Sequence, residues 1–173
     1  MQRDFLTDDE RNYLEEHLPK VIELFKDAHE ELRTELLNKC FPVVKKLKKS
    51  EFTSLLFEDP ITAYTCGYCF YFARIMKSIF PDLEFVLESN TNEFPTHIFL
   101  KSKNEVFDIT YNSKETKLEY RKANICDLKY ITLFFCNMDE NMYEKLKYKF
   151  YRNIKAYLEN KKGYAYHKEK YKK

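Results

Sequence analysis

A chain of 173 residues can build one domain with a buried core, but it leaves little room for a large second domain. Hydrophobic residues make up 44% and charged residues 34%, and no apolar run approaches the roughly 20 residues that an α-helical membrane span requires, which argues against a membrane partner. The net charge of +2, from 30 basic and 28 acidic side chains, gives no electrostatic footprint for nucleic acid.

The first ten residues are polar and acidic, with no basic stretch leading into an apolar one. That is not the pattern of a signal peptide, so a cytoplasmic location is expected. The five cysteines (Cys40, Cys66, Cys69, Cys126 and Cys136) are then expected to be reduced, each acting as core, ligand or nucleophile. Thr7-Asp8-Asp9-Glu10 has the form of a capping box and predicts a helix start. Leu14, Leu18, Val21, Ile22, Phe25, Leu32 and Leu36 keep the helical period, with Pro19 kinking or splitting the segment and Pro42 stopping it. A second helical stretch is predicted over 43–57, followed by a turn at Glu58-Asp59-Pro60.

The middle of the chain changes period. A helix is predicted over 68–80, with Cys69, Phe72, Ala73, Met76, Ile79 and Phe80 on one stripe and Pro81 ending it. A strand follows over 83–88 and a polar loop over 89–94. Two short strands, 97–101 and 106–110, flank a turn at Ser102-Lys103-Asn104-Glu105. The apolar, β-rich run 130–136 predicts another strand. A helix from Asp139 carries Met142, Leu146, Phe150, Ile154, Tyr157 and Leu158 on one face, and Gly163 is placed as its C-cap. The lysines at 45, 46, 48 and 49 and the lysine-rich end over 161–173 read as solvated surface, with a phosphate-binding surface as the alternative. The implied class is α+β: an N-terminal helical segment over 1–58, a core over 59–137 built on a small antiparallel sheet, and a C-terminal helix with a basic tail over 138–173, all in one compact domain.

Three residues in the core carry possible chemistry. Cys69 falls in the first turn of its predicted helix, where unpaired N–H groups and the helix dipole favour a thiolate. The same position equally suits a small buried side chain. His17, His29 and His167 read as surface residues, and only His97 lies in an apolar β-segment. A hairpin that pairs His97 with Thr110 and Phe99 with Asp108 makes His97 and Asp108 diagonal neighbours on one face, about 7–8 Å apart at their α-carbons. The carboxylate would then hold the imidazole through Nδ1–H and leave Nε2 for the thiol. A shift of one residue would separate them onto opposite faces.

The order of Cys at a helix start followed by His and Asp on adjacent strands resembles the papain-like cysteine hydrolase superfamily, including its compact bacterial, phage-type and transglutaminase-like branches. The run Cys66-Gly67-Tyr68-Cys69-Phe70 is similar to the C-G-[SA]-C-[WY] signature of papain relatives. The resemblance covers about 65–111. It implies Cys69 as nucleophile, His97 as general base and Asp108 as orienter, with no cofactor or metal and with a protein or peptide substrate. Papain-type enzymes place a glutamine in the oxyanion hole, whereas the only glutamine here is Gln2. The backbone N–H of Cys69 could serve instead, with a second donor from Tyr64, Thr65 or Tyr68. The implied activity is thiol-dependent hydrolysis or acyl transfer at an amide or isopeptide bond: peptidase, amidase, deamidase or transglutaminase-like.

Two other readings stand beside it. Cys66-x-x-Cys69 opening a helix also resembles the redox motif of thioredoxin-like oxidoreductases, with Phe94-Pro95-Thr96 similar to their cis-proline segment. A papain-like scaffold without activity, binding another protein through its charged terminal helices, is the third. A structural zinc would need two more ligands than the Cys66–Cys69 pair supplies.

Overall fold

A computed structural model describes residues 5–40, 59–65, 68–89, 97–103, 105–111, 119–135 and 138–170. Within these residues the chain is α+β, with six helices and a four-stranded antiparallel sheet. Helix α1 spans Asp8–Glu15 and α2 spans Leu18–Cys40, separated at the turn just before Pro19. The capping box forms as expected: the Thr7 hydroxyl accepts from the Glu10 N–H at 3.2 Å, and Glu10 Oε2 accepts from the Thr7 N–H at 3.0 Å. Thr7→Ala is expected to cost about 1 kcal/mol of stability, read from the urea midpoint at unchanged slope.

Helix α6, Glu140–Lys170, lies antiparallel to α2. Glu35 pairs with Lys145 at 2.6 Å and Glu31 with Lys149 at 2.5 Å, while Asn153 donates to the Leu24 carbonyl at 3.2 Å, so numbers fall along one helix as they rise along the other. Between them Phe25 meets Phe150, Phe72 and Tyr64 edge to face at 5.4, 5.0 and 4.9 Å. One hydrophobic cluster runs from Leu6 to Leu158 and joins both terminal helices to the middle of the chain. Helix α6 continues past Gly163, which therefore is not a C-cap. The preceding turns supply enough propensity and packing to carry the helix through a single glycine. No helix among the described residues is long and apolar enough to cross a membrane.

Pro60 opens a short helix, α3 (Pro60–Thr65), where a turn was predicted. Asp59 caps it, accepting from the N–H groups of Ile61 at 3.3 Å and Thr62 at 3.0 Å, and Pro at the first helical position has no N–H to satisfy. Helix α4, Cys69–Ile79, follows with its expected stripe buried. It is held to the start of α6 by Tyr71, whose hydroxyl donates to the Met138 carbonyl at 3.2 Å and accepts from the Met138 N–H at 3.1 Å.

The sheet comprises β1 (Glu84–Glu88), β2 (Phe99–Lys101), β3 (Val106–Phe107) and β4 (Tyr120–Lys122), in the order β3-β2-β1-β4. Leu87, Leu100 and Phe107 are buried in the main cluster. Strand β4 was not anticipated; it is only three residues long and pairs with β1, Leu87 opposite Arg121.

The run 130–136 was predicted as a strand, but the chain forms a helix there, α5 (Ile125–Phe135). The cause lies upstream. Asn124 Oδ1 accepts from the Asp127 N–H at 2.9 Å, and Asp127 Oδ2 accepts from the Asn124 N–H at 2.8 Å, a reciprocal cap. Arg121 then grips Asp127 through two bonds of 2.7 and 3.0 Å. The cap starts the helix and the tertiary context overrides the β-propensity of the apolar residues that follow. The helix predicted over 43–57, the loop predicted over 89–94 apart from Ser89, and the lysines at 45–49 lie outside the described residues.

Candidate active site

The β2–β3 hairpin has the register expected from its turn. Leu100 is opposite Phe107 and Lys101 opposite Val106, and the Ser102 N–H donates to the Glu105 carbonyl at 2.9 Å to close it. The ladder is shorter than predicted, so His97 and Asp108 lie just beyond its ends, yet they remain on one face. His97 Nε2–H donates to Asp108 Oδ2 at 2.9 Å. An ionised carboxylate can only accept, which assigns the proton to Nε2. This reverses the expected arrangement: Nε2 takes the carboxylate and Nδ1 is left over. The cause is local. His97 precedes the first paired residue of β2, and its ring is set edge-on against Phe99, with centroids 4.5 Å apart.

Nδ1 is buried and makes no hydrogen bond of good geometry. Cys69 is nevertheless close enough to act on the ring. Burial disfavours the imidazolium, but the hydrogen bond to Asp108, the hydrogen-bonding influence of Cys69 and the charges of both outweigh it, and the ring is raised from 6.5 to about 9. The thiol is thus a near neighbour of the ring without a directed bond to it. Burial also opposes ionisation of Asp108, yet the bonds from His97 and Thr110 hold its carboxyl below the usual range.

Cys69 is the first residue of α4 and is 1% exposed. As the opening residues of the helix, Cys69 and Phe70 have N–H groups with no acceptor within it, whereas those of Tyr71 and Phe72 already donate to the Tyr68 carbonyl.

The three residues expected to offer a second donor make bonds of their own. Tyr64 is 1% exposed, and its hydroxyl is hydrogen-bonded to His29 Nδ1 at 3.1 Å, inside the aromatic cluster. The Thr65 hydroxyl donates back to the Ile61 carbonyl at 2.9 Å. The Tyr68 N–H donates to the Ala63 carbonyl at 3.1 Å, and its ring lies against Tyr71. His29, expected at the surface, is buried because it projects from α2 against Tyr64 of α3. His17 is half-buried, stacked on Tyr13.

Compared with known proteins, the chain matches no family model, no curated protein and no solved structure. The site therefore stands on its own geometry. Sequence reasoning missed Thr110, whose N–H and hydroxyl both donate to Asp108 Oδ1, at 2.8 and 2.6 Å. The signal for it was present as Asp-x-Thr, the spacing of an Asx turn. Cys66 and the segment with Pro95 lie outside the described residues. Cys126 is exposed on α5, and no group of three or more potential metal ligands occurs among the described residues. A separate polar cavity of about 340 Å³ lies between α1 and the turn after α4, lined by residues that include Arg11, Asp82 and Lys103 but not Cys69.

Proposed function

We propose that the chain is a cysteine-dependent acyl-transfer enzyme of papain-like type, with Cys69 as nucleophile, His97 as its proton carrier and Asp108 as the group that orients His97. The single observation that carries this reading is the His97–Asp108 bond at 2.9 Å with the opposite ring nitrogen left unbonded and Cys69 acting on the same ring. A histidine that merely filled the core would have no need of an ionised partner on one side and a thiol on the other.

With the ring raised to about 9, the proton resides on His97 at neutral pH. His97 therefore enters as the acid, which revises its expected opening role as base. In the reactive form the proton of Cys69 has passed to His97 Nδ1, and the resulting thiolate attacks the carbonyl carbon of an amide or isopeptide bond. The oxyanion forms against the N–H groups at the start of α4. The tetrahedral intermediate collapses as the leaving amine takes the proton from His97 Nδ1, and a thioester remains on Cys69. His97, now neutral, removes a proton from water or from an acceptor amine, which attacks the thioester and releases the acid or the new amide. A protein or peptide substrate and a cytoplasmic setting with reduced thiols belong to this reading.

The experiment is site mapping after iodoacetamide treatment at pH 6, with a peptide-amide and glutamine-amide panel assayed in parallel. Selective labelling of Cys69 that blocks ammonia or amine release supports the enzyme. First labelling at Cys66, with a reversible Cys66–Cys69 disulfide, would instead identify a thioredoxin-like oxidoreductase. The 1% exposure of Cys69 favours a second reading, a papain-like scaffold that binds a protein without catalysis. Ordinary, slow labelling of the folded protein at Cys69 would select it.

A further inference from the structure

Asp108 directly follows β3, and its carboxylate divides its work cleanly. Oδ2 accepts only from His97 Nε2–H among the bonds described, whereas Oδ1 accepts both the Thr110 N–H at 2.8 Å and the Thr110 hydroxyl at 2.6 Å. A carboxylate bound at one oxygen can pivot; three donors in two directions fix both its tilt and its plane. The chain is bent to make this possible. The Tyr111 N–H donates to the Asp108 carbonyl at 3.1 Å, and Tyr111 itself takes φ 55°, a left-handed conformation that a non-glycine residue adopts at some cost. The Tyr111 hydroxyl reaches back to both carboxylate oxygens of Glu105, at 3.0 Å each, and ties the turn to the hairpin. The segment from Asp108 to Tyr111 is thus wrapped so that Thr110 faces back onto Asp108.

We infer that Thr110 is a positioning residue of the site: its hydroxyl pins Asp108 so that Oδ2, and no other lone pair, meets His97 and turns Nδ1 of the ring toward Cys69. The inference rests on the acyl-transfer reading for its consequence in catalysis, but the pinning itself is independent of it. Losing the hydroxyl leaves Oδ1 with the backbone donor alone. The carboxylate then swings, the His97 bond becomes intermittent and the ring loses its fixed facing toward the sulfur.

The test compares wild type with Thr110→Val, which keeps the shape and the backbone N–H, and Thr110→Ser, which keeps the hydroxyl. Two quantities are read in each folded protein: the Nε2–H proton resonance of His97 in 15N-labelled material, and the rate of Cys69 alkylation at pH 6. The expected result is a broadened or lost resonance and a rate about tenfold lower for T110V, the effect of one charge-assisted hydrogen bond, with T110S restoring both. If T110V does not fold, T110A provides the same comparison. A wild-type resonance and a wild-type rate in T110V would overturn the inference and leave Thr110 as a turn residue that affects only the melting temperature. A lost resonance in T110V alongside a Cys69 rate that does not depend on His97 even in wild type would uphold the pinning and reject the acyl-transfer reading.

Discussion

Replacing His97 with alanine is expected to slow alkylation of Cys69 at pH 6 on the order of a hundredfold and to abolish measurable turnover. The reasoning starts from an ordinary thiol, of which only a fraction of a percent is thiolate two or more units below about 8.5. At that pH, the imidazolium beside Cys69, held protonated to about 9, is the strongest local source of positive charge described for the site. The helix N-terminus supplies the remainder and survives the substitution, so the variant should still exceed a free thiol. Stopped-flow or quenched alkylation followed by mass spectrometry measures the effect. Because Cys69 is 1% exposed, the informative quantity is the ratio between wild type and variant at matched stability, since access to the sulfur affects both alike. In wild type the reactivity should also change near pH 9 as His97 loses its proton, and that step should vanish in H97A. A ratio near one would sink the nucleophile assignment.

The second large effect is on stability and belongs to Asp108. His97 titrates at about 9 in the folded protein against 6.5 when unfolded, so its contribution is fully present below pH 6.5 and is lost as the pH rises through 9. Asp108 is shifted the other way. Its contribution is present above its unfolded value of 3.8 and is lost as the pH falls through its lower folded value. The window of greatest stabilisation therefore lies between about pH 4 and 6.5. A rise of this size in His97 corresponds to at most about 3–4 kcal/mol, shared between Asp108 and Cys69. Asp108→Asn keeps the volume and an acceptor for Nε2–H but removes the charge. It is expected to lower stability by about 1–3 kcal/mol at pH 6, with the difference from wild type shrinking steadily up to pH 9. Urea unfolding at a series of pH values gives the curve. A difference that grows with pH would contradict the protonation states assigned to the pair.

The chain shows where residue patterns suffice and where they do not. Local, repetitive features were legible: the Thr7–Glu10 box, the buried stripe from Cys69 to Phe80, and the turn that makes Leu100 face Phe107. Each is governed by interactions within a few residues, or by a two-residue alternation that the turn length alone determines. The hairpin register, fixed by the turn length, is what places His97 and Asp108 on one face.

Other features depended on partners distant in sequence or on competition between signals. The run Ile131-Thr132-Leu133-Phe134-Phe135 has the composition of a strand, but the Asn124–Asp127 cap, clamped by Arg121, commits the chain to a helix before those residues are reached. His29 looked like a surface residue on a charged helix until α3 brought Tyr64 against it, thirty-five residues away. The Tyr64 hydroxyl, the Thr65 hydroxyl and the Tyr68 N–H bond to His29, Ile61 and Ala63, partners that residue pattern alone does not reveal.

The sequence by itself determined the class of fold, the helix that presents Cys69 and the pairing of His97 with Asp108, because periodicity, capping and turn length act locally and leave few alternatives. Only the tertiary structure decided which nitrogen of His97 faces the carboxylate, that Thr110 holds that carboxylate in place, and that Cys69 is shut away from solvent. Those outcomes depend on directions of individual side chains and on what packs over them, and a one-dimensional pattern carries neither.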